Sequence, residues 1–352
     1  MHFIWRDMKR NKWVDIGEAK KFKRKQIQQM VIENTPIALV YKNGEFTATS
    51  GECNHKKGPL GKGHMEGDYI VCPWHSWHFH RKTGHGHPPF EAACLPCHEV
   101  KQKNGRLFVN LKPLNRRTHF PHPKHPLERK ITRKKGPIRV LGISTTPIPN
   151  WHKRYSTSES LLDAALKSAK TKMKAETKMI KIRDLKFKHC GGFYSIDEKA
   201  CIWPCTYTES DEKDQMDQIY EAMVFWADVI IIATPIRWGS ASSLYYKMAE
   251  RLNCIENQLL INNQKLIKNK VASFIITGGQ DNVQLVAGQM MMFFGQLGFY
   301  FPQFPFVGHS RGWAAEDMEN NTEFIKSSRV LKKEVRALAE RSIDTARTFL
   351  KK

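Results

Sequence analysis

Two short segments of the chain, Cys53-Asn54-His55 and Cys72-Pro73-Trp74-His75, set two thiols and two imidazoles on either side of sixteen intervening residues. Thiolates and neutral imidazoles are soft or borderline ligands that suit transition metals. If the span between them folds back, for which Lys56–Gly63 (KKGPLGKG) offers turn residues, the four side chains meet. A tetrahedral zinc site uses the same set, so the ligands alone leave the metal open. Other cysteines carry weaker signals. Cys94-Leu95-Pro96-Cys97-His98 spells a c-type haem attachment sequence, but in a region of short strands with no helical surround for a haem. Cys190, Cys201 and Cys205 are three thiols to which His189 adds a fourth ligand for zinc; otherwise they read as loop thiols. His119, His122 and His125 fall in a basic, proline-rich stretch and read as solvated.

The elements that must position these residues follow from length and pattern. A chain of 352 residues suits two domains, each with its own interior. Fifty-seven Lys and Arg against 34 Asp and Glu give a formal charge of +23. That excess favours acidic proteins or anionic cofactors as partners, and nucleic acid has nothing but charge to recommend it. The basic residues concentrate in the first 25 positions and near the middle, where they read as solvated surface. The start, MHFIWRDMKR, reaches charge before any apolar region and so carries no secretory signal. The softest membrane candidate, LVAGQMMMFFGQLGFYF, is interrupted by Gln289, Gln296 and three glycines, so no span is expected and a cytoplasmic location is. Eight cysteines in so long a chain do not resemble a disulfide framework. Residues 1–111 read as a small all-β domain, with hairpins turning at Asn43-Gly44 and Asn104-Gly105. Residues 112–136, with nine Lys or Arg and four Pro, read as an extended linker. In residues 137–352, apolar strands (IRVLGIS, MIKIRDL, DVIIIATP, VASFIITGG) alternate with helical stretches, which predicts an α/β doubly wound, five-stranded parallel sheet closed by an amphipathic C-terminal helix.

CNHKKGPL followed by CPWHSWHF, framed by WVDIGE and NGRLFVNL, closely resembles the Rieske iron-sulfur family from Trp13 to Leu111. The resemblance implies a 2Fe-2S cluster with one iron held by Cys53 and Cys72 and the other by His55 and His75. Exchanging two thiolates for imidazoles lowers the cluster's negative charge and raises its potential above that of an all-cysteine centre. Respiratory-chain Rieske proteins carry an extra disulfide between the two loops. Here Lys57 or Gly58 occupies that place and no Cys lies near Trp77, so the ferredoxin and oxygenase subtype is the better match. Trp74 and Trp77 are expected to shield the cluster. A terminal oxygenase would need two His and a carboxylate for a mononuclear iron in the second domain, and the sequence offers no such set.

The second domain resembles the flavodoxin-like NAD(P)H-dependent FMN reductase family over residues 137–310, through three loops at carboxyl ends of strands. GISTTPIPNWHKRYSTSESLL opens a helix, and the resemblance assigns Ser144, Ser156, Thr157 and Ser158 to the FMN phosphate. ATPIRWGSAS implies Pro235, Ile236, Arg237, Trp238, Gly239 and Ser240 along the isoalloxazine ring, and ITGGQDN implies Thr277, Gly278 and Gly279 at its pyrimidine edge. NAD(P)H is the implied co-substrate. Hydride transfer needs no side-chain acid or base, so no catalytic residue is assigned. Relatives known as iron-sulfur flavoproteins carry a compact cysteine cluster, whereas Cys190, Cys201 and Cys205 lack that spacing. The two resemblances together imply a relay from NAD(P)H through FMN and the cluster to a redox partner protein, acidic by charge, or a small-molecule acceptor. Reverse flow into a substrate over the flavin is a second reading, and an electron carrier fed by a separate reductase is a third. Relatives of the flavin domain imply a homodimer or a higher homo-oligomer.

Overall fold

Antiparallel pairing organises the first part of the computed structural model, which describes residues 12–88, 90–119, 125–278, 282–312 and 314–350. The basic cluster of the first eleven residues, His122 and Gly279 lie outside the described residues. Strands β1 (Trp13–Glu18), β2 (Ile27–Ile32), β3 (Thr35–Lys42), β4 (Glu45–Ser50), β8 (Cys97–Lys103) and β9 (Arg106–Pro113) form a sheet of order β1-β9-β8-β4-β3-β2. The two expected hairpins are there: Lys42 pairs with Glu45 and Lys103 with Arg106, across turns in which Asn43-Gly44 and Asn104-Gly105 all have positive φ. This is the twist-matched two-residue turn that Asn-Gly favours. A second sheet, β5 (His64–Glu66), β6 (Tyr69–Val71) and β7 (His78–His80), supplies the fold-back between the two ligand segments, with its first turn at Gly67-Asp68. Lys56–Gly63 does not make that hairpin. It completes the first ligand loop and one 3-10 turn, Leu60–Lys62, so close to β2 that a Cβ on Gly61 would meet Gln29 backbone at 2.4 Å. Phe193–Ala200 groups with this first unit.

The stretch expected to be an extended linker is packed at both ends. Arg117 donates to the Glu52 carbonyl at 3.1 Å, to Ser50 Oγ at 2.6 Å and to Asn54 Oδ1, and Thr118 exchanges backbone hydrogen bonds with Cys94. In the second unit Leu127 is buried, and Arg133 grips Asp228 with Nε at 2.7 Å and Nη2 at 3.0 Å. Guanidinium forks that gather oxygen acceptors turn a segment that is solvated by composition into a fastener.

The second unit is a parallel sheet of β10 (Arg139–Ser144), β11 (Glu176–Lys181), β12 (Val229–Arg237), β14 (Val271–Gly278) and β15 (Phe306–Ser310) in the order β11-β10-β12-β14-β15. This is the flavodoxin-like order, with its switch point between β10 and β12. A two-residue strand β13 (Ser240–Ala241) folds antiparallel onto the end of β12. Val229–Ala233 are wholly buried, as strands covered on both faces must be. Helices Thr157–Thr171 and Arg329–Leu350 cover one face through Leu161, Leu162, Leu338 and Ile343. Helices Ser243–Arg251 and Val283–Gln296 lie on the other, with Tyr245, Met248, Val286 and Phe294 in that core. No helix among the described residues is long and apolar enough to cross a membrane.

Candidate cluster and flavin sites

The two ligand loops share one hydrogen-bonding scheme. In the first, Cys53 N–H donates to the Gly58 carbonyl and Lys57 N–H to that of Cys53; in the second, Cys72 N–H donates to the Trp77 carbonyl and Ser76 N–H to that of Cys72. Lys57 and Ser76, at the same offset from each cysteine, both have positive φ (61° and 55°). Each loop thus presents a thiol and an imidazole from one backbone mould. Cys53 is 1% exposed and Cys72 2%. The two thiols hydrogen-bond to one another, which pushes Cys53 up with help from burial and pulls Cys72 down to about 7, where N–H groups of Trp74 and His75 also favour its thiolate. The imidazoles approach through Nδ1 atoms 3.0 Å apart. Nε2 of His75 lies 2.9 Å from the Ala200 carbonyl, which can only accept, so the proton sits on Nε2 and the Nδ1 lone pair is left for a metal. His55 stacks on Trp77 at 5.0 Å with an interplanar angle of 2°, and Trp77 stacks on Phe90 at 4.1 Å. Trp74 and Trp77 are both buried in the core behind the ligands.

Donors arranged as a sulfur pair and a nitrogen pair suit a group with two metal centres. Gly58 adds a steric condition, since a Cβ there would stand 2.8 Å from Cys72 Sγ.

In the second unit a cavity of about 500 Å³ opens at the carboxyl ends of β10, β12 and β14, a size that suits a cofactor. Of the residues expected at the phosphate, Ser156, Thr157 and Ser158 line it. Ser156 is the N-cap of Thr157–Thr171 and makes no capping bond with its side chain, while Thr157 Oγ1 lies 2.7 Å from Thr277 Oγ1. Ser144 does not line the cavity. Its hydroxyl donates to Glu159 Oε2 at 2.7 Å, and Glu159 is held in turn by Arg183 and Lys181. Burial works to raise the Glu159 carboxyl, but these three partners outweigh it and hold it at about 2. The negative charge in the helix's first turn is thereby neutralised from below. Pro235, Arg237, Thr277 and Gly278 line the cavity. Ile236, Trp238, Gly239 and Ser240 do not line it: Ile236 is buried, Trp238 and Gly239 form the β12–β13 turn, with Trp238 92% exposed and at positive φ, and Ser240 pairs with Arg237 as the first residue of β13.

The sequence reading missed one wall. Helix Ala315–Ser327 brings Met318, Asn321 and Thr322 to the cavity. Asn321 is 3% exposed and donates to the Gly278 carbonyl at 2.7 Å, while its Oδ1 has no partner. Nothing in a polar helix beyond the last strand marks that asparagine in advance. The haem-like sequence is used otherwise: Cys94 and Cys97 are buried, with burial pushing the Cys97 thiol up to about 12, and His98 Nδ1 lies 2.9 Å from the Asn110 carbonyl. Cys190 is exposed, Cys201 takes a contact from Asn253 Nδ2 at 3.4 Å, and Cys205 is buried.

With both sites in view, the comparisons are direct. The model of the NADPH-dependent FMN reductase family matches residues 138–313, half of the chain. The chain belongs to that family. A Rieske 2Fe-2S domain matches residues 12–99. The flavin-domain family implies FMN with NAD(P)H as electron donor, and the Rieske domain implies the cluster that the quartet fits. The chain is similar to an iron-sulfur flavoprotein of Methanocaldococcus jannaschii, 29% identical over 41% of this chain and 64% of that protein. It is also similar to the ferredoxin component of the alkene monooxygenase system of Xanthobacter autotrophicus, 33% identical over 22% of this chain and 64% of that protein. Among solved structures, RosB with its bound intermediate 8-demethyl-8-formylriboflavin-5'-phosphate aligns over 61% of this chain and 81% of that one, at 21% identity and a TM-score of 0.46.

Proposed function

We propose that this electron-transfer flavoprotein takes electrons in pairs from NAD(P)H and delivers them singly, through its Rieske domain, to an external acceptor. When bound, FMN accepts a hydride and the cluster carries one electron at a time, so the pair makes a two-to-one step-down. The observation that carries this reading is the presence in one polypeptide of the Cys53, Cys72, His55, His75 quartet and of the cavity between Ser156–Ser158 and Thr277–Gly278. Ser156, Thr157 and Ser158 offer hydroxyls and first-turn N–H groups at a helix start to the phosphate, and Arg183 and Lys181 balance the Glu159 carboxylate in that turn. Pro235, Arg237, Thr277 and Gly278 would face the ring. The +23 charge favours an acidic redox partner, in keeping with the ferredoxin relative that serves a monooxygenase system. A homodimer and a cytoplasmic location belong to the same reading.

The test is anaerobic purification followed by titration with NADPH and with NADH. Bleaching of the flavin band together with a Rieske electron paramagnetic resonance (EPR) signal supports the relay. A chain that holds both cofactors but bleaches with neither nucleotide would be a carrier fed by a separate reductase.

A further inference from the structure

Phe193–Ala200 interrupts the long connection between β11 and β12, and its contacts lie with the first unit. It is one helical turn, Phe193–Ile196, followed by a 3-10 turn, Glu198–Ala200. Ala200 is fully buried in the core that holds Cys53, Cys72, Trp74 and Trp77. Its carbonyl receives Nε2–H of His75 at 2.9 Å, and the Phe193 ring lies 5.5 Å from the His75 ring. The Rieske match ends at residue 99, so this covering piece is an addition from outside that domain.

We propose that Phe193–Ala200 is a built-in cap on His75, which lowers the potential of the cluster and closes that imidazole edge to external partners. The inference rests on the cluster reading above. A reduced cluster carries one more negative charge than an oxidised one. A carbonyl oxygen at the far nitrogen of a ligand opposes that charge, and so does the exclusion of water by Phe193 and Ala200; hydrogen bonding and solvent exposure are the protein's main controls on such potentials. Both effects have the same sign, so the cap makes the cluster harder to reduce. It also places protein where a partner would otherwise meet His75.

The experiment compares full-length protein with a variant in which residues 193–200 are an eight-residue Gly/Ser segment, and with Phe193→Ala. The midpoint is read by potentiometric titration followed by the Rieske EPR signal. The replaced variant should titrate at a higher potential than the parent, with Phe193→Ala between them. After dithionite reduction, each cluster passes one electron to ferricyanide, giving ferrocyanide. That transfer should be faster in the replaced variant despite its smaller driving force. An unchanged midpoint and rate in a replaced variant that keeps its Rieske signal overturns the cap. If the replaced variant loses its iron, an unchanged midpoint in Phe193→Ala overturns it equally. A parent protein without a Rieske signal would instead overturn the cluster reading.

Discussion

Asp214→Asn tests whether the flavin domain depends on one buried ion pair. Arg251 is 1% exposed, and both terminal nitrogens reach Asp214 at 3.0 Å in a bidentate grip. The same guanidinium donates to the Lys188 carbonyl at 2.8 Å and to Thr208 Oγ1 at 2.9 Å. Burial opposes its charge, and the carboxylate more than compensates, so the arginine is held firmly protonated. Asparagine keeps the shape and removes the compensation. Stranding a buried charge in this way costs about 3–5 kcal/mol. In a domain of this size each kcal/mol moves the melting temperature by about 2–4 °C, so a fall of roughly 6–20 °C is expected. The control is Asp344→Asn, which breaks an exposed pair with Arg347 at 2.9 Å and should cost less than about 1 kcal/mol. The assay is thermal unfolding of both variants at saturating FMN, followed by circular dichroism. A loss at Asp214 no larger than at Asp344 would refute the reasoning. Lys188 precedes Phe193–Ala200 in sequence and Thr208 follows it, so this hub also anchors the chain on both sides of the cap.

Two further outcomes follow from the sites. Gly58→Ala places a methyl 2.8 Å from Cys72 Sγ, an overpacking of about 1–3 kcal/mol set directly on a ligand, so the iron-to-flavin ratio should fall sharply while FMN content holds. Full iron content in that variant would count against the cradle. The Glu159 carboxyl sits at about 2 rather than its ordinary 4.5, so its contribution to stability is complete above pH 4.5 and is lost as pH falls toward 2. Urea midpoints measured at pH 5 and pH 3 should therefore drop more in the parent than in Glu159→Gln, and equal drops would contradict the assignment.

What the sequence disclosed was what local chemistry dictates. The ligand quartet, the two Asn-Gly hairpins and the strands β10, β12 and β14 each follow from residue type and spacing over a few positions, whereas the strand expected over MIKIRDL lies earlier, at Glu176–Lys181, and Ile182–Asp184 is a 3-10 turn. What it concealed depends on distant partners. β15 is five half-buried residues, FVGHS, too short and mixed to stand out. Ser144 carries the hydroxyl a phosphate loop needs, but Glu159 takes it, for a reason visible only once Lys181 and Arg183 come alongside. Arg117 and Arg133 read as solvated charges until the carbonyls and carboxylate they bind are known. Asn321 and Phe193–Ala200 act through tertiary contacts that no periodicity announces.

The position of the cap within the topology has a consequence for the cost of the connection that carries it. The parallel register of β10 with β11 and β12 is set by neighbouring strands and is indifferent to how far the chain wanders between Ile182 and Asp228. Doubling the length of such a crossover costs only about 0.6 kcal/mol in closure entropy. Length by itself is therefore a small burden on that connection, and the residues it adds are held by their own contacts, as Lys188, Thr208 and Asp214 are on Arg251.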